Sequence, residues 1–273
     1  MNLMMQLEEL KKNADRFTGF ADVYESARPA MPSYPVEIIT RYLGRTPECV
    51  VDIGCGTGLS TAVWKGRCGT VIGVEPGADM IGEARKREND QCRFVQAFAH
   101  DTGLPDASVD AVVSSQSFHW MEPVATLAEI NRILKDGGIF ATVDCDWPPA
   151  WNARGELLYK DFIGEVGKLE AQIPELTSRF RRWSKNGHLD NIRNSGHFFY
   201  CRELTFANRE MADAERLIRL ALSQGGLQNA LNNRPELIVD KLEQFKRNMR
   251  DLLGPGTFPI DFSYRMRIGV KPS

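Results

Sequence analysis

Two acids and three glycines carry the chemistry legible in this chain. Residues 50–58 read VVDIGCGTG, and residues 70–76, about twenty positions further on, read TVIGVEP. Val50, Val51 and Ile53 are β-branched residues suited to a buried parallel strand, and Gly54, Gly56 and Gly58 begin where that strand must turn. Glycines there let the backbone pass beneath a ligand that side chains would exclude. A dinucleotide fingerprint counted from Gly54 and Gly56 needs glycine at position 59, where Leu59 stands. Asp52, just ahead of the loop, would repel a pyrophosphate and welcome an ammonium group, directly or through water. Glu75 ends the second run, at the position from which doubly wound folds offer a carboxylate to both ribose hydroxyls. A nucleoside with an amino-acid tail satisfies both acids and the glycines together.

These residues need strands and helices to hold them. Apolar runs predict parallel strands over 50–53, 70–74, 93–99, 108–117 and 139–146, alternating with helices over 36–43, 59–68, 78–88 and 123–135. That alternation argues an α/β, doubly wound, Rossmann-like sheet. Its crevice lies where the strand order reverses, which puts Ser115, Gln116, Phe118, His119 and Trp120 beside the ligand. Beyond Trp147 the pattern changes. Residues 153–182 read as a helical cap interrupted at Gly155, Gly164, Gly167 and Pro174, followed by a sixth strand over 198–206. Helices over 209–224 and 235–253 follow, with Gly225 and Gly226 as the stop between them. Strict alternation from Phe258 to Val270 predicts a half-buried seventh strand. Arg179, Arg181, Arg182 and Lys185 cluster around Phe180 and Trp183; a solvated helix end is the favoured reading, a dock for an acidic substrate the other. The expected organisation is a helical arm over 1–46, a binding core over 47–146, and a cap with the last two strands over 147–273.

Composition bounds the partners. A chain of 273 residues with formal net charge -2 needs no staples to fold and has no global pull toward nucleic acid or anionic membrane. Six cysteines without a CxxC pair read as reduced thiols. Cys55, inside the glycine loop, reads as a small residue packed under the ligand rather than a redox sensor. The first residues lack the unbroken apolar stretch of a signal peptide, and no run reaches the ~18 apolar residues of a membrane helix. A cytoplasmic protein, monomer or homodimer, without nucleic acid, membrane or metal, is expected.

Four ordered segments resemble the class I S-adenosylmethionine-dependent methyltransferases, in particular the small-molecule branch that includes the ubiquinone/menaquinone and trans-aconitate methyltransferases. They are VVDIGCGTG, GVEPGADMI at 73–81, LPDASVDAVVSSQSFHW at 104–120 and EINRILKDGGIF at 129–140, within a little over a third of the chain. The resemblance implies a seven-stranded sheet, mostly parallel with its last strand antiparallel. It implies S-adenosylmethionine as cofactor, S-adenosylhomocysteine as product and a small-molecule methyl acceptor. Cofactor-binding positions would be Asp52, Gly54, Gly56, Gly58, Glu75, Pro76, Met80, Phe98, Ala99, Ser115 and Gln116. His100 falls where relatives commonly carry Glu, which leaves the adenine to backbone groups of Phe98 and Ala99. Tyr24 and Arg28, on an arm folded over the cofactor, and Phe118 and Trp120 would face the substrate. His119 is the first candidate base, ahead of Tyr24 and Glu122, and a base is needed only if the acceptor must lose a proton. An NAD(P)-dependent oxidoreductase and a non-catalytic S-adenosylmethionine-binding module are the competing readings.

Overall fold

A computed structural model of the chain describes residues 28–173 and 181–273. Tyr24, Arg179 and Phe180, and residues 1–27 of the arm expected over 1–46, lie outside the described residues. The described chain forms one seven-stranded sheet in the order β3-β2-β1-β4-β5-β7-β6. Its strands are β1 (Cys49–Ile53), β2 (Thr70–Val74), β3 (Cys92–Val95), β4 (Val109–Ser115), β5 (Leu134–Cys145), β6 (Tyr200–Ala212) and β7 (Phe258–Val270). Strands β1 to β5 run parallel, and β7 lies antiparallel between β5 and β6. The order reverses between β1 and β4, so the ends of those two strands frame a crevice.

Eight α-helices cover the sheet among the described residues: α1 (Tyr34–Leu43), α2 (Ala78–Arg85), α3 (Pro123–Ile133), α4 (Ala153–Gln172), α5 (His188–Asn194), α6 (Ala214–Leu222), α7 (Gly225–Asn233) and α8 (Val239–Leu253). Val50, Ala111, Ile139, Ile260 and Ile268 belong to one core layer, and Val51, Val112, Phe140 and Ile130 to the layer on the other face. The cap helices pack around Phe162 and Phe245, whose rings stack with centroids 4.4 Å apart. No described helix is long and apolar enough to cross a membrane.

Several elements depart from expectation, each for a local reason. The helix expected over 59–68 is only a 3-10 turn, Thr61–Trp64, because the Ser60 and Thr61 hydroxyls both donate to Asp52 and Gly66 adopts φ +70° before β2 begins. The third strand stops at Val95, short of residue 99. Residues 207–212, placed partly in a helix by sequence, extend β6 because each pairs with β7, and Arg209 reaches Asp261 across that ladder. Cross-strand partners far along the chain override local preference here. Gly164 and Gly167 do not interrupt α4. Gly225 and Gly226 open α7 rather than stopping its neighbour. A Cβ at Gly226 would stand 2.5 Å from Glu170 Oε2, so the glycine permits the close crossing of α4 and α7.

Candidate functional site

The crevice is built by two tight joints. Gly54 N–H donates to Val74 O at 2.7 Å, tying the end of β1 to β2. Ser117 Oγ donates to Ile53 O at 2.9 Å and lies 2.7 Å from Ser114 Oγ, tying the end of β4 to β1. Gly54 itself has φ +65°, and a Cβ there would meet Met121 Cε and Ser117 Cβ at 2.6 Å. Gly56, at φ +56°, has nothing within 4 Å of its would-be Cβ. The two glycines therefore answer different needs. Gly54→Ala is expected to cost about 2–5 kcal/mol, combining left-handed strain with overpacking, and Gly56→Ala only the strain of about 1–2 kcal/mol. Urea unfolding of both variants checks this, and equal losses would contradict it.

Around those joints opens a cleft of about 1150 Å³, counted out to its mouth. The sequence-predicted Gly54, Gly56, Glu75, Pro76, Met80, Phe98, Ala99, Ser115 and Gln116 line it together, with Arg28 and Trp120. Asp52, Gly58, Phe118 and His119 do not. Asp52 lies buried under the loop, its Oδ2 accepting from Ser60 Oγ at 2.6 Å and Thr61 Oγ1 at 2.7 Å. It fixes the loop from below instead of touching the ligand through the cleft wall. Gly58 faces the Phe94 ring, 3.0 Å from its would-be Cβ. Phe118, His119 and Trp120 share one 3-10 turn, in which successive side chains diverge by a third of a revolution. Only Trp120 reaches the cleft. His119 is buried behind the wall, 6.4 Å ring to ring from His188, and burial pushes its pKa well below the usual histidine value, helped by the charges of Lys185 and Arg182. That position removes it as a base in contact with substrate. His100, Leu59 and Trp147 also line the cleft. The turn carrying His100, held by the Asp101 N–H donating to Phe98 O, could not be read from strand periodicity.

Glu75 is buried and accepts from the Gly56 N–H at 3.1 Å and the Gly77 N–H at 2.9 Å. Burial raises its pKa to about 7 against those two bonds, with the Asp52 charge adding to the rise. Burial likewise raises Asp52 to about 6, opposed by its two hydroxyl partners. Among the described residues neither carboxylate meets a Lys or Arg. The pair is therefore stressed as it stands, and a ligand that supplies positive charge and hydroxyl donors relieves it.

Residues 51–142 match the family model described as "Methyltransferase domain". That stretch, about a third of the chain, is similar to a methyltransferase domain. Its relatives include a protein named as a probable S-adenosylmethionine-dependent methyltransferase, CRG1, of Saccharomyces cerevisiae, 33% identical over 52% of this chain and 53% of that protein. An uncharacterised methyltransferase of Mycobacterium bovis, Mb3374, is 32% identical over 56% of this chain and 58% of its own length. The chain thus spans little more than half the length of these relatives. A solved protein assigned as a type II methyltransferase from Anaeromyxobacter dehalogenans superposes with TM-score 0.67 at 21% identity, covering 90% of this chain and 99% of its own. At that identity the likeness concerns the fold, which is the class I methyltransferase fold. The glycine loop, Glu75 and the end of β4 all fall inside the matched residues, whereas Arg28 and Trp147 come from outside them.

Proposed function

We propose that this protein transfers a methyl group from S-adenosylmethionine to a small-molecule acceptor. The observation that carries the reading is the pair of buried carboxylates, Asp52 and Glu75, set around a glycine loop without a cation of their own. An adenosine with an amino-acid tail fits, its hydroxyls reaching Glu75 in the cleft wall and its ammonium charge offsetting Asp52 from across the loop. The Glu75 carboxylate has about four lone-pair sites, of which Gly56 and Gly77 take two, so it can still accept from two ribose hydroxyls. The open space above Gly56, which any Cβ would enter, leaves room for the backbone to carry the ligand. Met80 and Phe98 offer an apolar wall to the base. A diphosphate bridge would set further negative charge beside two unpaired carboxylates.

When bound, the cofactor supplies an electrophilic methyl group on a sulfonium. The chain's task is to hold the acceptor in line with it and to exclude water, and such positioning can contribute roughly 7–11 kcal/mol to lowering the barrier. Ser115 and Gln116 place the end of β4 against the acceptor. Trp120 and Trp147 wall its path, and Arg28 stands at the rim with its guanidinium 4.7 Å from the Trp147 ring centroid. With His119 behind the wall, a proton that the acceptor must lose does not pass directly to that residue.

Isothermal calorimetry with S-adenosylhomocysteine is the direct test. A sub-millimolar dissociation constant that weakens in Glu75→Ala is expected, and no binding to a folded sample would overturn the reading.

A further inference from the structure

The two ends of the cleft carry opposite chemistry. Glu75 marks one, and three cations converge behind the other. Arg28 lines the cleft, held there by Nη2 donating to Ser223 O at 3.0 Å and by the Trp147 ring. The Arg182 guanidinium lies 5.5 Å from the centroid of Trp120, another lining residue, and meets no carboxylate within ion-pair distance among the described residues. Lys185 sits between Asp144 Oδ1, at 3.2 Å, and Gln116 Oε1, at 2.9 Å. Residues 181–184 form no helix, while Arg181 and Arg182 are exposed, as the solvated reading of the sequence expects. The Trp183 N–H donates to His119 O at 2.9 Å, which ties this stretch to the back of the wall that carries Trp120.

Gln116 reports what that wall offers. An ammonium has only donors, so Lys185 fixes the amide with its oxygen inward and leaves Nε2 as the remaining group. Nε2 is buried and has no partner among the described residues, although Gln116 lines the cleft. The residue also holds φ +57°, a conformation uncommon outside glycine. A buried amide donor without an acceptor is costly, and an oxygen of a ligand would satisfy it.

Resting on the methyltransferase reading, we infer that the acceptor is a carboxylate-bearing small molecule, its anionic oxygens received by the Gln116 amide and Arg28, with the Arg182 charge acting from behind Trp120. Lys185 acts as a positioning residue: bonded to Asp144 behind the wall, it keeps the Gln116 amide turned to donate. The inference concerns recognition of the carboxylate, whichever atom of the acceptor takes the methyl group.

The experiment uses the full chain saturated with S-adenosylhomocysteine, so that the tail carboxylate of the cofactor is present throughout. Benzoate and succinate are titrated against benzamide and succinamide, with competition or thermal shift as readout. Each acid is expected to bind at least about tenfold more tightly than its amide, the size of one charge-assisted hydrogen bond. Arg182→Gln is expected to reduce that preference by a few fold. Lys185→Met should reduce it and Lys185→Arg restore it, with S-adenosylhomocysteine affinity as the control for folding. Equal binding of acids and amides, or no binding of either, overturns the inference while leaving the cofactor reading intact. Failure of S-adenosylhomocysteine itself to bind overturns both.

Discussion

Glu75→Gln is expected to weaken S-adenosylhomocysteine binding by ten- to a hundredfold and to remove part of the protein's loss of stability with rising pH. The binding loss follows from geometry, because the carboxylate accepts two backbone N–H bonds and retains capacity for two hydroxyls, whereas an amide has one oxygen and turns a donor toward donors. The pH effect follows from burial, which raises the group to about 7 in the folded chain against an ordinary carboxyl of about 4.3 in the unfolded one. A raised pKa contributes stability that is complete below the unfolded value and is lost as pH climbs through the folded one. Wild type should therefore lose stability relative to Glu75→Gln between about pH 4.5 and 7.5, by about 3 kcal/mol in all. Urea unfolding of both proteins without ligand, near pH 5 and near pH 8, measures this difference of differences. A constant gap between them would contradict it. Saturating S-adenosylhomocysteine should flatten the wild-type loss, since its hydroxyls stabilise the ionised carboxylate.

What the sequence made legible was local. The glycine loop, Glu75, the end of β4 and the alternation of β7 all reside in short stretches whose residue types dictate backbone shape, and the structure brings nine of the predicted cofactor positions to one wall. Asp52 shows the limit. Its proximity to the loop was readable, but Ser60 and Thr61 turn back and occupy it, and no periodicity reveals a hydroxyl that bonds eight or nine residues away. His119 shows another, because its neighbour Trp120 faces the cleft while a 3-10 turn rotates His119 into the core. The acid and basic residues 144, 185, 188, 203 and 267 were each visible as letters. Their meeting depends on β7 being inserted beside β5, a pairing that joins positions more than a hundred residues apart.

That meeting supports the largest stability effect in the molecule. Asp144 Oδ2 accepts from Arg267 Nη1 at 2.8 Å and from His188 Nδ1 at 3.0 Å, while Oδ1 faces Lys185. Burial alone would raise the carboxyl, yet the His188 bond and the charge of Lys185 hold it well below the usual carboxylate range. Arg267 is only 2% exposed in the middle of β7 and turns its Nε to Glu203 on β6, so two sheet partners share one buried guanidinium. Asp144→Ala removes the anion on which all three donors converge, and about 3–5 kcal/mol of stability should go with it. Glu203→Ala takes away a partly exposed acid and leaves Asp144 to pair with Arg267, so its cost should stay near 1 kcal/mol. The acid limb of unfolding discriminates further: a depressed carboxyl contributes stability above its unfolded pKa that is lost as pH falls, so Asp144→Ala should lose less stability than wild type on acidification. Losses of similar size at pH 7 in the two variants would show that the charge is spread over the network rather than centred on Asp144. The same substitution frees Lys185 from the carboxylate that holds it behind Gln116, so the preference for acids over amides should fall in parallel with stability, joining a strand pairing deep in the sheet to what the cleft recognises.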